Sequence, residues 1–152
     1  MHDENPPPKE FDLYRDTPLR YLGYANELGE AFRTIIGRRM VRGTYGIAIT
    51  YVLADTISKT KQEYEQQTSF KNVAFVGMDT ILWQMLASVI IPGITINRTC
   101  AFFYNRLHGL STPVRKFAVA GIGIVTIPII IKPIDHMVDS LMDRTLRKFS
   151  PS

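Results

Sequence analysis

A chain of 152 residues and 17.3 kDa has room for one domain. Its 18 Lys and Arg against 14 Asp and Glu leave a net charge of +4, too small and too mixed with acids for a nucleic-acid binding stripe. The single cysteine, Cys100, excludes an internal disulfide framework and a multi-cysteine zinc site, and His2, His108 and His136 lie too far apart to pair as ligands.

Apolar content is 45% and mean hydropathy is -0.01, both ordinary, yet the charges are unevenly placed. From Gly43 to Ser58 the one charged residue is Asp55, from Val73 to Asn97 it is Asp79, and from Phe117 to Ile131 there is none. A soluble domain keeps a wet face on each element. This spacing points instead to an all-α, helical multi-pass membrane protein.

Residues 1–16 form an acidic, proline-rich start (Asp3, Glu4, Pro6-Pro7-Pro8, Glu10, Asp12). It has neither the apolar core of a secretory signal nor the arginines of a cleaved mitochondrial presequence, and is expected to be a disordered tail. A single helical membrane domain is expected over 17–150. Thr17 suits an N-cap and Pro18 the first helical position. Tyr21, Tyr24, Ala25, Leu28, Ala31, Phe32 and Ile35 then recur at helical spacing, with Arg20, Glu27, Glu30 and Thr34 opposite. This predicts an amphipathic helix over Pro18–Ile36 whose apolar face meets either lipid headgroups or the rest of the chain. Arg38, Arg39 and Arg42 follow.

Three spans are expected, at about 40–57, 73–91 and 117–134. The first is short against the roughly 20 residues a crossing usually takes, which keeps a soluble helical bundle open as an alternative. Gly46, Thr50 and Ala54 give it a small-residue stripe suited to close helix contact. Ser58 to Asn72 reads as a polar connection. In the second span Thr80, Gln84, Ala87 and Ser88 share a face, with Asp79 alongside, and Pro92-Gly93 ends or kinks it. Ile94 to Leu110 interleaves Phe102, Phe103 and Tyr104 with Arg98 and Arg106, a headgroup-level pattern. No acid occurs between Gln84 and Ile134, so Arg98, Arg106, Arg115 and Lys116 form an uncompensated patch for anionic lipid headgroups. Beyond Pro133 a last amphipathic helix, Ile134–Phe149, is expected, with Ile134, Val138, Leu141, Thr145 and Phe149 on one face. Lys and Arg divide almost evenly between the two sides, so orientation stays open.

A carboxylate inside a span is costly and usually faces a partner. Asp55, Asp79, Gln84 and Lys132 are therefore the candidate intramembrane polar residues. Asp79 lies about 9 Å below its helix start by axial rise, where Lys132 can reach it, and a structural Asp79–Lys132 pair is expected. His136, Asp139 and Ser140 supply triad residue types, but adjacent positions on one exposed helix do not converge on a substrate. Asp135, Asp139 and Asp143 read as a solvated acidic face. Gly121-Ile122-Gly123 lacks the third glycine and preceding strand of a dinucleotide loop and reads as a packing feature. Cys100 reads as a buried thiol. No catalytic residue, metal or cofactor is expected.

Four blocks carry a family resemblance. Asp12-Leu13-Tyr14-Arg15-Asp16-Thr17 precedes Arg20-Tyr21-Leu22-Gly23-Tyr24-Ala25-Asn26-Glu27. Tyr51-Val52-Leu53-Ala54-Asp55 is the second. The third runs through Asp79-Thr80, Trp83-Gln84, Leu86-Ala87-Ser88-Val89 and Ile91-Pro92-Gly93 to Thr95-Ile96-Asn97-Arg98. The fourth is Thr126-Ile127-Pro128-Ile129-Ile130-Ile131 with Pro133-Ile134-Asp135 and Leu146-Arg147-Lys148. In this order they resemble the mitochondrial fission process protein family. The resemblance implies a non-enzymatic, multi-pass protein of the inner mitochondrial membrane that promotes division and is linked to inner-membrane integrity. It implies no cofactor. Expected partners are anionic membrane lipids, other inner-membrane proteins or a second copy, and not nucleic acid. An alternative of a different class is a small oligomeric carrier or pore component that alters ion or proton permeability.

Overall fold

A computed structural model describes residues 11–151, without the side chains of Arg15 and Asp16. The expected tail lies outside the described residues up to position 10. Helical structure begins ahead of Thr17, with one turn at Leu13–Asp16. The Thr17 hydroxyl then accepts from the Leu19 N–H and Pro18 takes the first helical position, as expected. The helix they start is a 3-10 helix, Pro18–Tyr24, which passes into the short helix α1, Ala25–Ala31. Helix α2 covers Arg33–Glu65 with a break at Gly37, whose φ of 81° lies in the left-handed region that glycine enters without strain. The expected continuous helix over Pro18–Ile36 is thus broken into pieces.

Helix α2 also runs through most of the stretch expected as a polar connection. Lys61 and Glu65 pair at i, i+4 on its last turns, and a segment rich in Lys, Glu and Gln favours helix when nothing breaks it. The turn left over is short. Ser69 caps the next helix by accepting from the Asn72 N–H. That helix, α3, extends over Phe70–Arg106 and passes Pro92 without stopping. It does so by widening to a π-helical stretch at Met85–Ile90 just before the proline, a common way to absorb a missing N–H. Helix α4 spans Thr112–Arg144 with Pro128 and Pro133 inside it, and a 3-10 helix, Leu146–Phe149, follows. The last amphipathic helix is therefore the end of α4. Its buried face continues through Ile134 and Val138 to Met142, not Leu141.

All elements among the described residues are helical. Helices α2, α3 and α4 form a bundle, and α1 packs into the angle between all three. Three small cores result. Ala31, Ile96, Cys100 and Val119 meet at one end. Trp83, Ala87, Ile134, Val138 and Met142 meet at the other, and Ala48, Tyr51, Val52 and Val89 join α2 to α3. Phe70–Arg106 and Thr112–Phe149 are long and apolar enough to cross a membrane. Of the three expected spans, then, the second and third lie in such helices. The first lies in α2, which is long but carries more polar residues.

Polar side chains share the interior with these apolar cores, and large apolar side chains lie outside. Asn26, Glu27, Glu30, Asp55, Thr80, Gln84 and Ser88 are buried, while Tyr21, Leu28, Ile57, Phe117 and Ile129 are exposed. Both settings left open for the apolar face of the N-terminal segment occur, since Ala31 is buried in a core while most of the face is not. The segment's glutamates point into the bundle, and Tyr21, Leu28 and Ile35 point out. The stripe Gly46, Thr50, Ala54 also turns away from the bundle, since nothing lies within 4 Å of a side chain built at Gly46.

Close approach of α1 depends on glycines elsewhere. A methyl group at Gly29 would collide with the Thr44 side chain, and one at Gly123 would lie 2.7 Å from Ala31 Cβ and 2.9 Å from Cys100 Sγ. Gly29→Ala is expected to destabilise the protein by about 1–3 kcal/mol through overpacking. Gly46→Ala is expected to be neutral or mildly stabilising. Thermal unfolding in one detergent checks this, and equal shifts for the two variants would show that α1 is not seated against α2.

Candidate functional site

Helix α1 carries its polar side chains inward because three helices surround it and each supplies a partner. The Glu30 carboxylate accepts from Arg33 Nε and Nη2, both at 2.7 Å, from the Tyr45 hydroxyl at 2.8 Å and from Asn97 Nδ2 at 2.9 Å. One side chain thus joins α1, α2 and α3. Burial pushes the Glu30 carboxyl up, but the bonds from Arg33, Asn97 and Tyr45 outweigh it and hold it below the usual range. Asn26 Nδ2 donates to the Val89 carbonyl at 3.0 Å, inside the π-helical stretch where ladder bonding is loosened.

A second group lies further along the bundle. Gln84 Nε2 donates to Asp55 at 2.6 Å, and the Ser88 hydroxyl donates to Gln84 Oε1 at 2.6 Å. Lys59, one turn on, pairs with Asp55 and lies 3.2 Å from Asp12. Asp55 and Gln84 are therefore brought together. Asp79 and Lys132 are not. Asp79 binds Arg147 at 2.8 and 3.3 Å through two nitrogens of its guanidinium, which corrects the expected Asp79–Lys132 pair. The 3-10 helix after α4 folds Arg147 back to α3, and a planar guanidinium can hold a carboxylate bidentately where an ammonium cannot. Arg147 also binds Asp139 at 3.2 Å and Asp143 at 2.9 Å, and Trp83 Nε1 donates to Asp139 at 2.8 Å. These acids form an ion-paired face. The triad-like group dissolves for the same reason, because Asp139 is held by Trp83 and Arg147.

Glu27 differs from its neighbours. Its side chain is fully buried, and neither carboxyl oxygen has a hydrogen-bond partner. Burial, with a lesser contribution from Asp135, pushes its carboxyl from the ordinary 4.5 up to about 9. At neutral pH Glu27 is protonated.

The two ends of the bundle carry different charge. Ala31, Tyr45, Asn97, Cys100 and Gly123 are linked by the contacts of Glu30 and the first core, so the turns beside them share one end. There Arg38, Arg39, Arg42, Arg98 and Arg106 are exposed, and Arg115 and Lys116 stand at the start of α4. Arg115 stacks 3.6 Å over the Tyr104 ring and donates to its carbonyl, while Arg106 lies 5.1 Å over Phe102. Of the four residues of the expected patch, Arg106 and Arg115 thus stand over aromatic rings. At the opposite end, acids and bases are mixed. A cleft of about 1170 Å³ opens there between Pro18–Tyr24 and α4. Arg20 crosses it, with Nη2 3.3 Å from Asp135 and Nε donating to the Tyr24 hydroxyl at 2.6 Å. Lys132 lies on its α4 wall.

Glu27, Glu30, Asn26, Tyr45, Asn97 and Arg147 are functional candidates that the sequence reading passed over. A signal was present for the first three. They share a face with Gly23 and Gly29, residues that admit close packing.

Comparison with known proteins gives one family model, described as Mitochondrial 18 KDa protein, which matches residues 15–76 and 56–142. Mitochondrial fission process protein 1 of Caenorhabditis elegans is 50% identical, over 90% of this chain and 87% of the relative. The Homo sapiens protein of that name is 48% identical, over 100% of this chain and 96% of the relative. That of Danio rerio is 48% identical, over 92% and 89%. No solved structure matches.

The state of Glu27 has a thermodynamic signature. Between 4.5 and about 9 the folded chain holds a proton on Glu27 that the unfolded chain releases, so stability declines as pH rises through that window. The melting temperature in detergent is expected to fall from about pH 5 to about pH 9, and Glu27→Gln is expected to flatten the decline. Parallel slopes for the two proteins would show that Glu27 does not carry it.

Proposed function

The chain belongs to the mitochondrial 18 kDa protein family, and from that premise we propose that it is a non-enzymatic, multi-pass protein of the inner mitochondrial membrane that promotes mitochondrial division. The name of its relatives, mitochondrial fission process protein 1, supports the role in division. The observation that carries the membrane half is the set of carboxylates and amides buried beside the apolar cores, with large apolar side chains outside. In water that arrangement wastes the hydrophobic effect. In lipid it is the favourable one, because interior polar groups bind each other and apolar surface meets acyl chains.

A third crossing by α2 belongs to this proposal. Between Met40 and Ile57 its outer side presents Ile47, Ile49, Leu53 and Ile57, and its one carboxylate, Asp55, is buried against Gln84. Arg42 lies near the end of the segment, where a long side chain can snorkel. The patch Arg98, Arg106, Arg115 and Lys116 then sits where helices leave the bilayer and engages anionic headgroups. The non-enzymatic reading is supported by how the polar residues are used, since Asp55, Gln84, Asp79 and Asp139 are each bonded to a neighbouring helix or its extension.

One observation favours a second reading. A buried carboxyl with neither oxygen bonded, Glu27, is the kind of group found on proton paths, so a small carrier or pore component that alters proton permeability is the alternative.

Depleting the protein in living cells is expected to lengthen the mitochondrial network, and the wild-type chain to restore it. A variant with Arg98, Arg106, Arg115 and Lys116 replaced by Gln is expected to restore it less and to bind anionic liposomes more weakly at low salt. Networks unchanged by depletion would sink the division role. Vesicles carrying the purified protein address the alternative. A proton leak abolished by Glu27→Gln would favour it, and vesicles as tight as protein-free ones would remove it.

A further inference from the structure

The cleft at the mixed-charge end encloses about 1170 Å³, against about 210 Å³ for the cavity beside Glu30. Its α4 wall is a single helical stripe. Pro128 and Ile131 come first, then Lys132, then Asp135, His136 and Asp139, at the spacings of three and four that stack side chains on one face. Along the helix axis the wall therefore passes from apolar to cationic to anionic. Lys132 and Asp135 are about 4.5 Å apart in axial rise.

The charges of this wall are differently committed. Asp135 is 3.3 Å from Arg20, which enters from the opposite wall, and Asp139 accepts from Trp83 and Arg147. Lys132 has no ion pair among the described residues, and it is exposed to the cleft. The Arg20–Asp135 contact is itself half open to solvent, the kind of pair worth little by itself. A ligand that brings both signs can replace or flank it with charge-assisted bonds.

A phospholipid with an ammonium in its headgroup presents acyl chain, phosphate and ammonium in that same order along its length. We propose that the cleft binds a phospholipid of the phosphatidylethanolamine class, with its phosphate on Lys132 and Arg20, its primary ammonium on Asp135 and Asp139, and an acyl chain along Ile131 and Pro128. The inference rests on the membrane reading above, because such a lipid reaches the cleft from a bilayer. Other headgroups fit less well. One bearing phosphate alone adds negative charge beside Asp135 and Asp139 and brings no cation to them. A choline headgroup has the right charges but no N–H to give the carboxylates.

The chain has one tryptophan, Trp83, which lines this cleft and donates to Asp139, so its emission reports the site. The full-length protein in detergent is titrated with short-chain phosphatidylethanolamine, phosphatidylcholine and phosphatidylglycerol. The expected result is a saturable change in Trp83 emission with the ethanolamine lipid, at a concentration at least about tenfold below that for the other two. Lys132→Gln and Asp135→Asn are each expected to weaken that response about tenfold. Lys61→Gln, an exposed charge that pairs with Glu65 on α2, should leave it unchanged. Equal responses to the three lipids, or none to any of them, overturn the proposal, and this comparison on the unmodified chain stands even where a variant misfolds. Partition into vesicles separates the two levels. A protein that enters vesicles without preferring the ethanolamine lipid overturns the site alone, whereas one that enters no vesicle overturns the membrane reading as well.

Discussion

The four bonds that converge on Glu30 are the contact on which the rest of the bundle depends. A carboxylate away from water must be bonded on every side or give up its charge. Glu30 meets that condition only where α1, α2 and α3 come within reach of one point. Arg33 fixes the turn after α1, Tyr45 fixes the rotation of α2, and Asn97 fixes that of α3 beyond its π-helical stretch. Small residues make the convergence sterically feasible. Gly29 lies against Thr44, Gly93 against Asn26 and Tyr45, and Gly123 against Ala31, so that three helices come close to α1.

Glu27, one turn earlier, shows what happens when that condition is not met. It is as buried as its neighbour but unbonded, and its carboxyl stays protonated. The two residues divide the interior into a charged, rigidly bonded point and a neutral one. Rigid points of this kind set register between helices whose outer faces are uniformly greasy and so carry little positional information. The Asp55–Gln84–Ser88 chain does the same between α2 and α3 lower in the bundle.

Much of this was legible in the sequence, and each failure has a physical cause. Charge-free stretches located the cores of α3 and α4, and Thr17-Pro18 marked the start of the first regular helix. Asp55 and Gln84 are buried against each other, and Asp79 is partly buried on Arg147. Each was recognisable as a group needing a partner because a lone polar residue in a greasy stretch demands one. Periodicity also located the two faces of the N-terminal segment, but it does not say which face is inside. In water the apolar face turns in; around α1 the reverse holds, because Asn26 and Glu30 find bonded partners inside while Tyr21 and Leu28 meet the apolar exterior. Arg147 escaped notice for a geometric reason. Axial rise places Lys132 near Asp79, but it says nothing of a chain that leaves α4 in a 3-10 turn and returns.

The contrast between the ends bears on how such a bundle would act on a membrane. At one end exposed cations stand over aromatic rings, and the acids near them, Glu27 and Glu30, are buried and face inward. That surface offers one sign of charge to whatever lies at the headgroup level, and attraction of this sort is long-ranged and weakened by salt. At the other end Arg20 stands by Asp135, and Arg147 by Asp79 and Asp139, so that opposite charges lie side by side and screen one another. Recognition there depends on contact geometry alone. If the bundle crosses a bilayer as proposed, its two ends would meet the two leaflets differently, through a diffuse attraction on one side and a shaped cleft on the other. For the fission role proposed from the family, that asymmetry matters more than any single residue, because a bilayer bends only when its two faces are treated differently.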